Sequence, residues 1–228
     1  MAYSLRLALV ALACSITFEL SAHADDFRCQ NAANVVIHSR ERADALIACA
    51  GAGDAIQFLH AIGLVTTGRI DLRIVDELPG SELSSRSGCF IAREQCAYLL
   101  TFAKLQERGT PFDLPIDRVL YRSMVAHEVA HAIAARNFAF PGPRIEAHEY
   151  IAYVTMLGTM PRNYRDLLLA RFPGEGFATE MEINSTIYLF DPPRFGVQAY
   201  RHFLREENGR AFVRRILAGQ ALITGDGN

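Results

Sequence analysis

Two histidines and a glutamate lie within five residues of one another in the apolar stretch Val125–Phe138. His127 and His131 are four residues apart, so on a helix they project from the same face, one turn above the other. Imidazoles on an apolar face need partners, because an unpaired buried polar group is energetically costly. Two converging imidazoles can bind one Zn²⁺ at about 2.0–2.1 Å. The spacing therefore predicts a metal site on this helix.

Glu128 is predicted to act beside that metal and not to bind it. It directly follows the first histidine, so its side chain is displaced around the helix from the two imidazoles. A carboxylate that is not a ligand can take a proton from an activated water and return it to a leaving group. The pattern of His127, Glu128 and His131 is the HExxH signature of zinc metallopeptidases, in which the glutamate is the general base.

A catalytic zinc site needs three protein ligands and one open position. Seventeen residues separate His131 from Glu149, which is followed by Ala152 and Tyr153 in "HEYIAYV". Here the chain resembles the gluzincins, in which HExxH is followed by a glutamate on a second helix, often as E-x-x-A-x-Y. The resemblance covers residues 116–153. It implies that Zn²⁺ is held by the two histidines and Glu149, and that the protein is a metalloprotease.

Three nearby residues compete with Glu149 or could support it. Glu146 lies three residues earlier on the same predicted helix face, so it could be a ligand, a partner of a ligand or a solvent-facing charge. Glu175 stands in "GEGFATE", which looks like a variant of the same motif but follows a Pro-Gly turn. His148 points to a different face of the helix and is expected to support the site or face solvent.

The resemblance also implies a donor for the oxygen on which negative charge develops, which in zincins is a Tyr, His or Arg. Tyr153 and Tyr188 are candidates. We expect Tyr200 and His202, in "FGVQAYRHF", to complete the catalytic set with Glu128.

The N-terminus has the features of a secretory signal peptide, predicted to comprise residues 1–24. An apolar run from Leu7 to Phe18 precedes small residues at Ala22 and Ala24, which predicts cleavage near Ala24. Such a run is too short to span a bilayer, which takes about 20 residues. The sequence therefore predicts an exported protein, periplasmic or secreted, with no stable membrane insertion.

Four cysteines remain after the predicted cleavage, and an even number in an exported chain favours two disulfide bonds. Sequence alone allows three pairings. We favour Cys29–Cys49 and Cys89–Cys96, because each pair lies within one local unit of structure.

Composition and pattern predict an α+β fold of the zincin type. Half of the 228 residues are hydrophobic and the net charge is −2, which argues against nucleic acid as a partner. We expect a single catalytic domain at 25–228, with a sheet-containing part at 25–110 and a helical part at 111–228. Strands are predicted at 34–39 and 68–78, a hairpin at 87–102, and helices at 40–50 and 54–64 with a break near Gly51–Gly53. Further helices are predicted at 116–137, 144–158, 161–171, 177–189, 194–206 and 208–218.

Together these features predict an exported zinc peptidase that acts on a peptide or protein substrate. Residues 96–102, "CAYLLTF", are expected to form the edge strand of the sheet, to which the substrate would add as a further strand. The alternative is a catalytically silent zincin-like domain that binds a peptide or a partner. Glu128 favours the peptidase, because silent versions usually lose this residue. Nothing in the sequence indicates the oligomeric state.

Overall fold

The computed structural model of the protein describes residues 24–109 and 111–223. The predicted signal peptide, residues 1–24, lies outside the described residues except for Ala24, and it stays a prediction. Within the described part, no helix is long and apolar enough to cross a membrane.

The sheet has five strands among the described residues, so the α+β class is confirmed. The strands are β1 (Asp25–Cys29), β2 (Ala32–Ser39), β3 (Ile70–Val75), β4 (Gly88–Ile91) and β5 (Cys96–Leu100). Their order across the sheet is β1-β2-β3-β5-β4. The pairs β2–β3 and β3–β5 are parallel, whereas the two outer pairs are antiparallel. The predicted strands at 34–39 and 68–78 correspond to β2 and β3.

The strand order corrects the prediction that "CAYLLTF" is the edge strand. β5 lies between β3 and β4, and the edge on this side is β4. Because β4 and β5 are the two arms of the predicted hairpin, the hairpin itself is confirmed. The strand-forming residues of each arm identify a strand, but they carry no information on which arm pairs with β3.

The register of this hairpin also decides the pairing of the cysteines. The bond Cys29–Cys49 is present, as predicted, and links β1 to the following helix. Cys89 and Cys96 are free thiols, so the predicted second disulfide is wrong. Cys89 pairs with Tyr98, and Cys96 with Ile91, which makes the two cysteines diagonal neighbours. Diagonal positions across two antiparallel strands are about 7–8 Å apart, beyond the usual span of a disulfide.

The described residues form eight α-helices. They are α1 (Arg42–Ala61), α2 (Phe102–Arg108), α3 (Arg118–Ala134), α4 (Ile145–Thr159), α5 (Arg162–Arg171), α6 (Ser185–Phe190), α7 (Pro192–Leu204) and α8 (Gly209–Leu217). Five of the six helices predicted after residue 110 are confirmed with small shifts at their ends.

The sixth predicted helix, 177–189, is wrong over its first half. The chain forms a short 3-10 turn at Glu180–Glu182 before α6 begins. The Glu182 carboxylate accepts a hydrogen bond from the Ala178 backbone N–H (2.7 Å), and the Asn184 side chain accepts one from Ile187 N–H (3.2 Å). These side chains satisfy backbone groups that a continuous helix would use, so the helix starts only after Asn184.

Helix α1 is continuous, so the break predicted near Gly51–Gly53 is wrong. Gly51 is buried, and a Cβ built on it would lie 2.5 Å from the Arg122 carbonyl oxygen of α3. The glycine therefore allows α1 and α3 to pack closely, although glycine has a low intrinsic preference for helix.

Helices α1 and α3 cover one face of the sheet, and α4 packs against α3 from the other side. In α3, the Asp117 side chain caps the N-terminus by accepting a hydrogen bond from Leu120 N–H (2.8 Å). Almost every residue of α3 from Leu120 onward is buried. The HExxH segment is thus packed between the sheet and α4, and this packing fixes the direction of its polar side chains.

Candidate metal centre

The three side chains predicted to bind metal converge between α3 and α4. The Nε2 atoms of His127 and His131 are 3.1 Å apart. Glu149 on α4 places one oxygen 3.4 Å from His127 Nε2 and the other 3.7 Å from His131 Nε2. All three ligand atoms lie within 4.8 Å of one another, so the group could hold a metal ion.

The spacing of these atoms fits three ligands of a single ion. Ligands about 2.0–2.1 Å from one tetrahedral ion are separated by roughly 3.3–3.4 Å. The nitrogen–nitrogen distance and each nitrogen–oxygen distance are within a few tenths of an ångström of that separation, with a different oxygen of Glu149 facing each histidine. Two imidazole nitrogens and a carboxylate oxygen are also the donor set that zinc takes in His₂Glu sites.

Burial makes the charges of this group strongly interdependent. Burial and the neighbouring His127 lower the pKa of His131 to about 3, against the attraction of Glu149. Burial also acts to lower the pKa of His127, but its hydrogen bond to Glu149 and the charge of Glu149 raise it overall. For Glu149, burial raises the pKa, and the two histidines outweigh it and lower the pKa to about 2. The group thus places a buried carboxylate beside two imidazoles, an environment in which a cation is favoured.

Glu128 is buried beside the group without joining it. Burial is the main cause that raises its pKa to about 7, and the charge of Glu149 acts in the same direction. Its Oε2 is buried and has no hydrogen-bond partner among the described residues. Buried carboxylate oxygens are normally paired, so this one needs a partner that is not part of the described chain.

The edge strand β4 passes directly over Glu128. Gly88, the first residue of β4, is so close that a Cβ built on it would overlap Glu128 Oε1, and it would lie 2.8 Å from the Tyr98 carbonyl oxygen. The outer side of β4 pairs with no other described strand. An unpaired strand edge therefore lies beside the buried carboxylate.

Tyr188, at the centre of α6, also lies beside the site. Its hydroxyl is close enough to the Glu149 carboxylate to help lower the pKa of Glu149. Burial and the charge of Glu149 raise the pKa of Tyr188, so the phenol keeps its proton and remains a donor. Tyr153 contributes its ring, which packs edge-on against the His127 ring at a centroid distance of 4.6 Å.

Glu146 is not one of the three grouped ligands, and its carboxylate instead stabilises α6. Its Oε1 accepts hydrogen bonds from Arg144 Nη2 (2.7 Å) and from the Ser185 backbone N–H (2.6 Å). Ser185 is the first residue of α6, so this buried carboxylate holds the start of the helix that carries Tyr188.

The alternative ligand Glu175 is exposed and lies in the turn before Phe177. His148 stacks against Phe138, with its ring 6.0 Å from that of His131.

The structure places Tyr200 and His202, the other two predicted catalytic residues, in contact with different groups. His202 Nδ1 and the Tyr150 hydroxyl share a hydrogen bond of 2.7 Å, and the His202 ring packs against Phe212. The Tyr200 ring stacks on Phe203. No hydrogen bond joins either residue to the triad within the described chain, and their catalytic role stays a prediction.

The sequence did not predict a role for two residues that lie beside the site, Gly88 and Arg86. Gly88 stands in an ordinary serine- and glycine-rich loop, and Arg86 two residues earlier donates from Nη1 to the Tyr188 hydroxyl at 3.4 Å. Neither belongs to a motif. Their only signal was their position, since Arg86 directly precedes the predicted hairpin and Gly88 lies at the start of its first arm.

Comparison with known proteins places the chain in a family. Residues 35–226 match the model of a family of unknown function, DUF6639, and because this is most of the chain, the protein belongs to that family. No match was found among curated proteins or among solved structures. The protein is thus an α+β member of DUF6639 with a His-His-Glu group that could hold a metal ion.

Proposed function

We propose that this protein is an exported zinc-dependent peptidase. The observation that carries the proposal is the unpaired, buried Oε2 of Glu128 beside a His-His-Glu group of ligand spacing. A structural metal site is usually closed by four protein ligands, whereas a hydrolytic site has three ligands and a free base. The Cys29–Cys49 disulfide supports export, because such bonds persist in oxidising compartments.

His127, His131 and Glu149 would hold the zinc ion. Zinc bound there acts as a Lewis acid toward a carbonyl oxygen and lowers the pKa of water. Glu128 takes a proton from the attacking water and delivers it to the leaving amine. A base works best when its pKa lies near the operating pH, and burial raises the pKa of Glu128 to about 7.

The remaining groups would orient the substrate. A peptide in extended conformation can add to the unpaired side of β4, which places its backbone beside Glu128. The Tyr188 hydroxyl stays protonated and lies near Glu149, so it can donate to the carbonyl oxygen as negative charge develops. Glu146 acts as a positioning residue through its hydrogen bond to the first residue of α6.

The experiment uses the chain from Asp25 onward, produced in an oxidising compartment. Bound metal is quantified by mass spectrometry, and cleavage of a peptide mixture is followed with and without a chelator. We expect about one zinc per chain and activity that the chelator removes and zinc restores. His127→Ala should lose both metal and activity, whereas His60→Ala, at an exposed histidine far along α1, should lose neither.

Two outcomes contradict the proposal. A wild-type protein that cleaves peptides equally well in chelator is no metallopeptidase. A protein that binds zinc through these residues but cleaves no peptide in the mixture is the catalytically silent domain instead.

A further inference from the structure

Arg86 brings a positive charge to the rim of the proposed active site without an acidic partner. Its guanidinium is partly buried and donates from Nη1 to the Tyr188 hydroxyl at 3.4 Å. No carboxylate oxygen of the described residues lies within 4.0 Å of it. Glu128 interacts with it from a greater distance and already has a role in the site. A partly desolvated guanidinium without a counter-charge is costly, so a missing partner is indicated.

The backbone around Arg86 is held firmly. Its N–H donates to the Leu83 carbonyl at 2.9 Å, and its own carbonyl accepts a hydrogen bond from the Arg108 guanidinium. The next carbonyl, that of Ser87, accepts from Leu100 N–H at 3.0 Å and continues the β4–β5 ladder. The guanidinium thus projects from a fixed point at the start of the edge strand, as a binding group does.

The order of contacts places Arg86 one group away from the reacting atoms. The Tyr188 hydroxyl is near enough to Glu149 to lower its pKa, and it accepts a hydrogen bond from Arg86 at 3.4 Å. Tyr188 is therefore the nearer donor for the carbonyl that is cleaved. The guanidinium lies where a neighbouring part of the substrate would be, and its paired N–H groups match a carboxylate.

We propose that Arg86 binds a carboxylate of the substrate within one or two residues of the scissile bond. This inference rests on the proposed peptidase function and names its substrate class. The carboxylate comes either from the free C-terminus of a short peptide or from an Asp or Glu side chain.

Binding is measured first, in the zinc-loaded Glu128→Gln variant, so that no cleavage interferes. The C-terminal source is probed with N-acetyl-Ala-Ala as the free acid and as the amide. The side-chain source is probed with N-acetyl-Ala-Glu amide and N-acetyl-Ala-Gln amide. Affinities are obtained from NMR chemical-shift titrations at millimolar peptide. The same titrations on metal-free protein separate binding to Arg86 from binding to the ion.

We expect one carboxylate probe to bind about 10- to 100-fold more tightly than its neutral partner, the usual effect of a charge-assisted hydrogen bond. Arg86→Gln should abolish this preference, and Arg86→Lys should keep part of it. Arg93→Gln removes the same charge from an exposed site at the hairpin turn and should keep all of it. Because the structural hydrogen bond to residue 86 uses its backbone carbonyl, these side-chain changes leave that bond intact.

Equal binding of acid and neutral probes, or no binding of either, overturns the inference. So does a preference that survives in Arg86→Gln, since the carboxylate would then bind elsewhere. Wild-type cleavage of the matched peptides provides a second test. An equal loss for acid and neutral substrates in Arg86→Gln would make Arg86 a donor to the reacting carbonyl. If the probes bind as expected but the wild type cleaves no peptide, the Arg86 subsite stands and the peptidase proposal fails.

Discussion

Gly88 and Glu128 approach so closely that no side chain fits between the edge strand and the buried carboxylate. A Cβ on Gly88 would overlap Glu128 Oε1 and lie 2.8 Å from the carbonyl oxygen of Tyr98. The contact links the two halves of the proposed site, since β4 provides the free strand edge and α3 the base. A substrate lying along β4 would therefore have its backbone within reach of Glu128.

Gly88→Ala is expected to destabilise the protein and reduce its activity. The added methyl group must displace Glu128 or β4, and overpacking of this kind costs about 1–3 kcal/mol. Thermal unfolding and peptide cleavage measure the two effects. The same substitution in a Glu128→Ala background should cost less stability, because the overlap with the carboxylate is removed. An equal cost in both backgrounds would show that the carboxylate is not what Gly88 accommodates.

The two glutamates of the site should behave differently when replaced by glutamine. Glu128→Gln touches no ligand contact, so zinc should stay bound while turnover falls by about 10²–10⁴, the usual contribution of a general base. Glu149→Gln removes a charged ligand and should weaken zinc binding by more than the roughly 10- to 100-fold seen for residues behind the ligands. Metal analysis and kinetics on both variants test this. Glu175→Gln, which changes an exposed glutamate, is the control. If only Glu175→Gln loses zinc, the third ligand is Glu175 and not Glu149.

Tyr188→Phe should lower kcat by about 10²–10³ while zinc stays bound, the effect of removing one donor to the developing oxyanion. The matched variant is Tyr200→Phe, whose ring stacks on Phe203 away from the triad. Steady-state kinetics on both variants decide whether Tyr188 or Tyr200 is the donor to the developing oxyanion. A larger loss of kcat in Tyr200→Phe would identify Tyr200 as that donor.

Mass spectrometry of the unreduced protein should show Cys29–Cys49 linked, with Cys89 and Cys96 free to react with a thiol reagent after unfolding. Burial raises the pKa of Cys89 to about 12, so this thiol should react slowly in the folded protein. Cys49→Ala should destabilise the protein by about 3 kcal/mol, the value expected for a closed loop of this length. Detection of a Cys89–Cys96 bond would mean that the register of the hairpin differs.

His202 should make the protein less stable in acid. Burial lowers its pKa to about 4, below its ordinary value of 6.5. Between these pH values the unfolded chain takes up a proton that the folded chain does not, so stability falls as the pH decreases from 6.5 toward 4. His202→Gln should show a shallower decline in melting temperature over this range, whereas His60→Gln, at an exposed site, should follow the wild type. A wild-type decline matched by His202→Gln would assign the acid sensitivity to other groups.

The sequence by itself determined the features that depend on short-range spacing. A helix repeats every 3.6 residues, so the four-residue interval of His127 and His131 was enough to put both on one face. The same periodicity located α4 and the position of Glu149 on it. Alternation along 68–78 predicted β3, and the strand and turn signals of 87–102 predicted both arms of the hairpin. In each case the interacting residues lie on one element or on neighbouring ones.

Only the tertiary structure decided which distant segments meet. The order of strands made β4 the edge and brought Gly88 to Glu128, and the register separated Cys89 from Cys96. Packing of the C-terminal helices brought Tyr188 to Glu149 and buried His202 against Tyr150. The physical reason is that these contacts depend on which faces are buried together across the whole core. Local patterns specify each face but not its partner.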